Sequence, residues 1–381
     1  MALLILNAGS SSLKYRLYRR GDLHQLAAGT LDGLSSAAGD SDHGQALEQV
    51  VAEVHSALPV GETLTAIGHR VVHGGDAFGR AALIDEEALS ALDRLADLAP
   101  LHNPPALAIM RGCRRHFPDL PQVAAFDTAF HHALPERARR YPLPEQYGVR
   151  RFGFHGISHG YVSKRAAEYL ERGDLKMISL HLGNGASAAA IDSGQCIDTS
   201  MGLTPLEGLM MGTRAGDLDP GILFHLARTN GLSLAELETV LTRESGLLGL
   251  CGSADMREVR ARADGNDAYA RLALDIYTYR IRKYIGAYAA ALGGLDALVF
   301  TAGVGENHPW VRAQACAGLD LLGIAIDPER NEAAMGIISP IHRESSNVAV
   351  LVIPTNEELE IARQTLELLG ASPSPTHPTN H

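Results

Sequence analysis

Leu3-Leu4-Ile5-Leu6-Asn7-Ala8-Gly9-Ser10-Ser11-Ser12-Leu13-Lys14 runs from an apolar stretch into a glycine-serine turn, and a second β-rich run follows from Leu13 to Tyr18. That is the pattern of a strand, a tight turn and a returning strand. The pattern has an echo in Leu180-His181-Leu182-Gly183-Asn184-Gly185-Ala186-Ser187, followed by Ala188 to Ile191. Two such hairpins predict a duplicated fold, each opening one half.

Further short β-rich runs end in polar or glycine motifs. Leu64 to Val72 ends at His73-Gly74-Gly75, and Val123 to Phe126 ends at Asp127-Thr128. Met177 to Leu182 ends at Gly183-Asn184-Gly185 and Ala297 to Thr301 at Gly303-Val304-Gly305-Glu306-Asn307. Val348 to Ile353 ends at Pro354-Thr355-Asn356-Glu357-Glu358. In open α/β sheets ligands sit at the carboxyl ends of strands, so these ends predict a shared cleft. Between them lie helical patterns. Asp85 to Leu98 carries Leu89, Leu92, Leu95 and Leu98 on one face. Asn356 is placed to cap a helix over 357–369, and Tyr269 to Leu292 reads as a long helix buried between other elements.

A length of 381 residues exceeds one typical core and predicts two domains. The 33 Lys and Arg against 44 Asp and Glu give a net charge of −11, which argues against a duplex-binding surface. Cys113, Cys196, Cys251 and Cys316 are scattered without a CxxC pair, as expected of isolated thiols in a reducing compartment. The start of the chain lacks a basic leader, and the most apolar stretch, Tyr284 to Phe300, is interrupted by Gly293, Gly294 and Asp296. A cytoplasmic protein without a membrane span is the expectation. Residues 371–381 are rich in Pro, Ser and Thr and are expected to lack a fixed fold.

The strand-end motifs carry chemistry. A Ser/Gly turn presents backbone N–H groups and hydroxyls, and Lys14 adds a positive charge, so Asn7 to Lys14 can grip a phosphate without the Walker A spacing. Gly183-Asn184-Gly185 and the Gly303 segment are further candidates, because a backbone without Cβ atoms lets a ligand approach. Arg70 and Arg214 each sit beside glycine-rich turns, where a guanidinium fork suits a carboxylate or a phosphoryl group; either alone fits a structural salt bridge equally well. His155 and His159 have the i, i+4 spacing of zinc ligands but lack the Glu of HExxH, so donation to phosphoryl oxygens fits them better. Asp127 and Glu357 suit Mg²⁺, directly or through water, and equally suit capping.

With these motifs assembled, the chain resembles the acetate kinases from Ala2 to about Leu369. The most specific matches are Leu6 to Lys14 and Gly68-His69-Arg70-Val71-Val72-His73-Gly74-Gly75, joined by the 99–104, 126–131 and 152–159 segments. The His181, Arg214, Asp255, Gly303 and Pro354 segments also match, in order. The resemblance implies an α/β fold of two similar, duplicated domains of the sugar kinase, Hsp70 and actin (ribonuclease H-like) type, with a nucleotide cleft between them. It implies a first domain of residues 1–130 plus 359–381 and a second of 131–358. It further implies Mg²⁺ (or Mn²⁺ in its place), ATP and ADP as co-substrates, acetate or acetyl phosphate as partner, and a homodimer without nucleic acid or membrane.

By the same resemblance, Asn7 and Glu357 form the metal site. Ser10, Ser12, Lys14, His181, Leu182, Gly183, Asn184 and Gly185 contact nucleotide, as do Asp255, Met256, Arg257, Gly303, Val304, Gly305, Glu306 and Asn307. Arg70 binds the carboxylate, and Val72, Leu101, Phe154 and Pro205 enclose the methyl group. Arg214 and His155 stabilise the transition state, and Asp127 is the catalytic aspartate. A carboxylate ionised at pH 7 needs no general base, so Asp127 is expected to orient Arg or metal-bound water. Propionate kinase is the nearest alternative, with Val72 favouring acetate, because one methylene discriminates by only about 1–3 kcal/mol. A non-catalytic nucleotide-binding module and a metal-dependent hydrolase are more distant alternatives. The departure from the family is the short stretch between Asp32 and Thr63, which leaves the local topology open.

Overall fold

Leu4 and Leu6 face one side of the first strand and Leu3 and Ile5 the other, and all four are buried. A strand covered on both faces reads as a continuous apolar run, which is why the opening stretch has no polar alternation. The computed structural model describes residues 1–370 except Ser10 and residues 35–39, 97, 98, 100 and 101; Asp40 and Ser41 are described as backbone only. The expectations for Ser10, Leu101 and the tail 371–381 lie outside the described residues.

The chain divides into two compact units: Met1–His132 with Gly156–Ser158 and the segment from Asn356 on, and Ala133–His155 with His159–Thr355. The first holds a six-stranded sheet of β1 (Ala2–Ala8), β2 (Ser12–Arg19), β3 (Gln25–Asp32), β4 (Leu64–Val71), β5 (Ala82–Leu83) and β6 (Gln122–Phe126). Its order is β3-β2-β1-β4-β6-β5. β1 pairs antiparallel with β2 and parallel with β4, and β4 pairs parallel with β6. On one face Leu4, Leu6, Leu13 and Leu17 pack with Leu47, Val50 and Met110 from the helices Asp40–Ala57 and Asn103–His116. On the other, Leu3 and Ile5 pack with Ile361 and Leu366 of the helix Glu357–Leu368. Gly68 permits that approach: a Cβ there would stand 2.6 Å from Thr365 Oγ1 and 2.8 Å from Ile5 Cδ1. The open stretch between Asp32 and Thr63 contains the helix Asp40–Ala57.

The second unit holds β7 (Lys176–Leu182), β8 (Ala186–Asp192), β9 (Gln195–Thr199), β10 (Ala297–Thr301), β11 (Ser339–Pro340) and β12 (Ala349–Val352). Read from its far edge, the order is β9-β8-β7-β10-β12-β11. β7 pairs antiparallel with β8 and parallel with β10, and β10 pairs parallel with β12. Strand for strand, order and direction repeat those of the first sheet, including an antiparallel edge strand. This is the duplicated α/β fold expected from the two hairpins. The motif-bearing strands are neighbours in each sheet, β1-β4-β6 and β7-β10-β12, so their carboxyl ends share one edge per unit.

Two helices differ from expectation. The helix expected over 85–98 spans Glu86–Arg94, with Asp85 accepting from Ala88 N at its start. The long helix Ala268–Leu292 is buried on one side only: Ala273, Tyr277 and Ile281 face inward, whereas Tyr269, Leu272 and Tyr279 are exposed. An apolar composition concealed a helix with an uncovered face.

Candidate functional site

In the first unit, three strand ends converge on one guanidinium. Arg70 lies on β4, and Asp127 follows the last residue of β6, its N–H donating to Val71 O. Arg70 grips the aspartate with two donors: Nη2 to Oδ2 at 2.6 Å and Nε to Oδ1 at 3.2 Å. Its remaining nitrogen, Nη1, donates to Asn7 Oδ1 at 3.2 Å. Asn7, on β1, donates through Nδ2 to Glu358 Oε1 at 3.4 Å. Burial by itself would lower the Arg70 pKa, but Asp127, Glu357 and Glu358 outweigh it and raise the value above the ordinary guanidinium range. The Asp127 carboxylate thus holds the Arg70 guanidinium through both of its oxygens.

Glu357 and Glu358 occupy the first turn of the helix Glu357–Leu368, where acidic side chains complement the helix dipole. Asn356 caps that helix by accepting from Leu359 N at 3.0 Å. The nearby oxygen donors are hard carboxylate and amide groups. Among the described residues no cluster of three His, Cys, Asp or Glu forms a metal cage. Mg²⁺ does not need one, since it commonly takes one or two carboxylates plus water and phosphate, so Asn7 and Glu357 fit it by chemistry. The hairpin turn closes with Gly9 N donating to Ser12 O, and His43 Nε2 lies 3.2 Å from Gly9 O. Lys14 is exposed, paired across the hairpin with Asn7, and Val72 is half-buried just past β4.

In the second unit, the β7–β8 turn closes with Gly183 N donating to Gly185 O. A Cβ on Gly185 would stand 3.5 Å from the His155 ring and 3.6 Å from Arg214 Nη1. Histidine, arginine and glycine turn therefore meet at one point. His155 has φ +56°, a left-handed conformation that is strained for a residue with a Cβ, and its ring stacks on His181 at 4.1 Å. His155 Nδ1 lies 2.9 Å from Ser187 Oγ, which lies 2.8 Å from His159 Nε2; His159 Nδ1 lies 2.9 Å from Ser179 Oγ. The i, i+4 histidines are thus joined through a serine hydroxyl. Arg214 Nη1 donates to Pro205 O at 2.9 Å, and among the described residues no carboxylate pairs with it. Burial pushes its pKa down, the signature of a cation without a counter-charge. Phe154 is buried.

A cavity of about 420 Å³ lies in the same unit, large enough for a small ligand. Gly183 and Asn184 line it, with Asp255, Met256 and Arg257 and with Gly303, Val304 and Asn307. Leu182 is a core side chain. Glu306 turns inward, accepting from Ala302 N at 2.8 Å and Thr355 N at 3.0 Å, so it holds the glycine segment in shape. Asp255 is engaged by Arg257 through two hydrogen bonds and caps the helix Met256–Asp264, which pulls its pKa well below the usual carboxylate range.

The acetokinase family model matches residues 2–363. This chain belongs to the acetokinase family. An acetate kinase of Streptomyces coelicolor is 50% identical to it over 98% of each chain. One of Leifsonia xyli is 52% identical over 97% of this chain and 99% of its own. Among solved structures, Porphyromonas gingivalis acetate kinase covers 97% of this chain and 99% of its own, at 40% identity and a TM-score of 0.90. A propionate kinase from Francisella tularensis covers 95% and 98%, at 39% identity and a TM-score of 0.86.

Sequence reasoning passed over several residues that the fold places at the candidate sites. Gly212, Leu247, Ala254, Tyr277 and His308 also line the cavity. Gly212 stood within the arginine motif and was legible as a close approach: a Cβ there would lie 2.1 Å from Asn184 Oδ1. Glu358 adjoins Glu357, and Ser187 lies in the echo hairpin. Tyr277 carried no signal, because inside a long apolar helix it reads as core.

Proposed function

We infer that this chain catalyses reversible phosphoryl transfer between ATP and acetate, giving acetyl phosphate and ADP. The observation that carries the reading is Arg214: a half-buried guanidinium that meets no carboxylate among the described residues, beside His155 and a glycine turn. A cation so placed is suited to an anion that arrives from outside the protein. Near 50% identity to acetate kinases over almost the full chain supports acetate as the acceptor. The propionate kinase likeness keeps propionate as the second reading.

We propose direct in-line transfer. Acetate is already ionised at pH 7, so charge rather than proton removal dominates the barrier. Arg70, held by Asp127, binds the acetate carboxylate, and Val72, Leu101, Phe154 and Pro205 are proposed to exclude water from its methyl group. Arg214 and His155 donate to the transferring phosphoryl oxygens, with Ser187 and His159 fixing the imidazole. Asn7 and Glu357 would hold Mg²⁺, assisted by Glu358; the ion would neutralise phosphate charge. The nucleotide occupies the Gly183–Asp255–Gly303 cavity, supported by its size and its glycine walls. Lys14, Ser10 and Ser12 are proposed phosphate contacts.

The domain reading, 1–130 with the C-terminal helix and 131–358, is supported by contact units whose limits fall nearby. A homodimer is supported by Tyr269, Leu272 and Tyr279, exposed along one face of their helix. A cytoplasmic location is supported by four buried cysteines that form no disulfide among the described residues. No described helix is long and apolar enough to cross a membrane.

The test is an ADP-release assay with Mg-ATP and acetate, propionate or butyrate in parallel. The highest kcat/KM is expected for acetate. Preference for propionate would change the acceptor, and no turnover with any acid would overturn the reading.

A further inference from the structure

Tyr277 is a fully buried side chain, and its hydroxyl has no hydrogen-bond partner among the described residues. It also lines the cavity assigned above to the nucleotide. Burial drives its pKa up, so the hydroxyl stays protonated and can both donate and accept. A buried hydroxyl left unpaired destabilises the free protein, and phenylalanine would fill the same volume without that cost. The cavity has two characters. Its glycine and asparagine side, at Gly183, Asn184, Gly303 and Asn307, suits phosphate and ribose. Leu247, Ala254 and Met256 make an apolar wall suited to a flat base. The helices carrying Leu247 and Met256 pack on the helix that carries Tyr277. Tyr277 therefore belongs to the side of the cavity that these helices wall.

We propose that Tyr277 is a specificity-determining residue of the nucleotide site, pairing through its hydroxyl with a polar atom on the edge of the purine base. The proposal rests on the reading of this cavity as the nucleotide site. It makes base recognition a property of the long helix, separate from the glycine motifs that hold the phosphates. A site built around a polar contact penalises a ligand that leaves it unpaired, so the hydroxyl contributes discrimination as well as affinity.

The test compares wild type, Tyr277→Phe and the cavity-filling Ala254→Trp by calorimetric titration with ADP. Relative kcat/KM for ATP and GTP and the melting temperature of the free protein are measured alongside. Tyr277→Phe is expected to weaken ADP roughly tenfold, the ratio that about 1.4 kcal/mol represents. It should also reduce the preference for ATP over GTP by at least about fivefold, with the melting temperature of the free protein unchanged or raised. Unchanged ADP affinity and an unchanged ATP-to-GTP ratio in Tyr277→Phe, while Ala254→Trp abolishes binding, would overturn the role of Tyr277 and leave the cavity assignment standing. Wild-type affinity in both variants would remove the cavity assignment itself. A lowered melting temperature with an unaltered nucleotide ratio would mark Tyr277 as structural and also overturn the proposal.

Discussion

The two units share one strand order but treat their arginines in opposite ways. In the first, Arg70 is held by Asp127 through two hydrogen bonds and by Asn7 through a third, with Glu357 and Glu358 adding negative potential. In the second, Arg214 is half-buried and, among the described residues, donates to a carbonyl, Pro205 O, and a thioether, Met211 Sδ, with no carboxylate beside it. A compensated arginine is rigid and orients a ligand without demanding one. An uncompensated arginine is costly until an anion arrives, and so favours the state in which negative charge is present. The same frame thus carries one arginine surrounded by carboxylates and one that meets none among the described residues.

The largest effect should come from the metal. Chelation with EDTA is expected to bring ADP release to background, with recovery on Mg²⁺ and not on Zn²⁺; recovery on Zn²⁺ alone would favour a metal-dependent hydrolase. Next, Arg214→Ala should lower kcat by roughly 10³–10⁵, as removal of an arginine finger does. Steady-state kinetics within threefold of wild type would break the contrast on its charge-stabilising side.

A stability measurement sharpens the contrast independently of activity. Arg70→Met removes both hydrogen bonds that the guanidinium gives the Asp127 carboxylate, which is 1% exposed, and should destabilise by about 3–5 kcal/mol in denaturant titration. Arg214→Met removes a half-buried cation that meets no carboxylate among the described residues, so stability should stay level or rise. Equal destabilisation by both would mean that the two arginines are held alike.

The smallest effect concerns His69, buried on β4 beside Arg70, where desolvation lowers its pKa to about 4 despite the Gln122 hydrogen bond. Below the ordinary value near 6.5 the unfolded chain takes up a proton that the folded chain refuses. Stability from this group is therefore fully present above about pH 6.5 and is lost as pH falls towards 4. The melting temperature should drop over that window in wild type and drop less in His69→Gln.

The duplication was legible because strand pairing is local. Leu3 to Tyr18 and Leu180 to Ile191 each contain both partners of an antiparallel pair, so pattern and turn chemistry suffice. The glycine motifs were legible for a related reason: the backbone must bend tightly or be approached closely, and only certain residues permit it. The helix Ala268–Leu292 was read as buried between other elements because its overall apolar composition hides the few charged positions, Arg271, Asp275 and Lys283, that lie with Tyr269, Leu272 and Tyr279 among its exposed residues. Glu306 lay in the expected nucleotide motif, yet its carboxylate reaches back to Ala302 and Thr355, a contact spanning 49 positions in the case of Thr355.

By itself, then, the sequence determined the strand ends, the turns and the residue types that meet there, because those depend on neighbours along the chain. The tertiary structure decided which charges are paired. Arg70 and Asp127 are 57 positions apart, and no local pattern says that their side chains meet. Nothing local says that, among the described residues, Arg214 meets no carboxylate or the buried hydroxyl of Tyr277, a residue lining the cavity, finds no hydrogen-bond partner. Pairing and burial are set by which elements pack together, and electrostatic energies inside a protein depend on those distances far more than on residue identity.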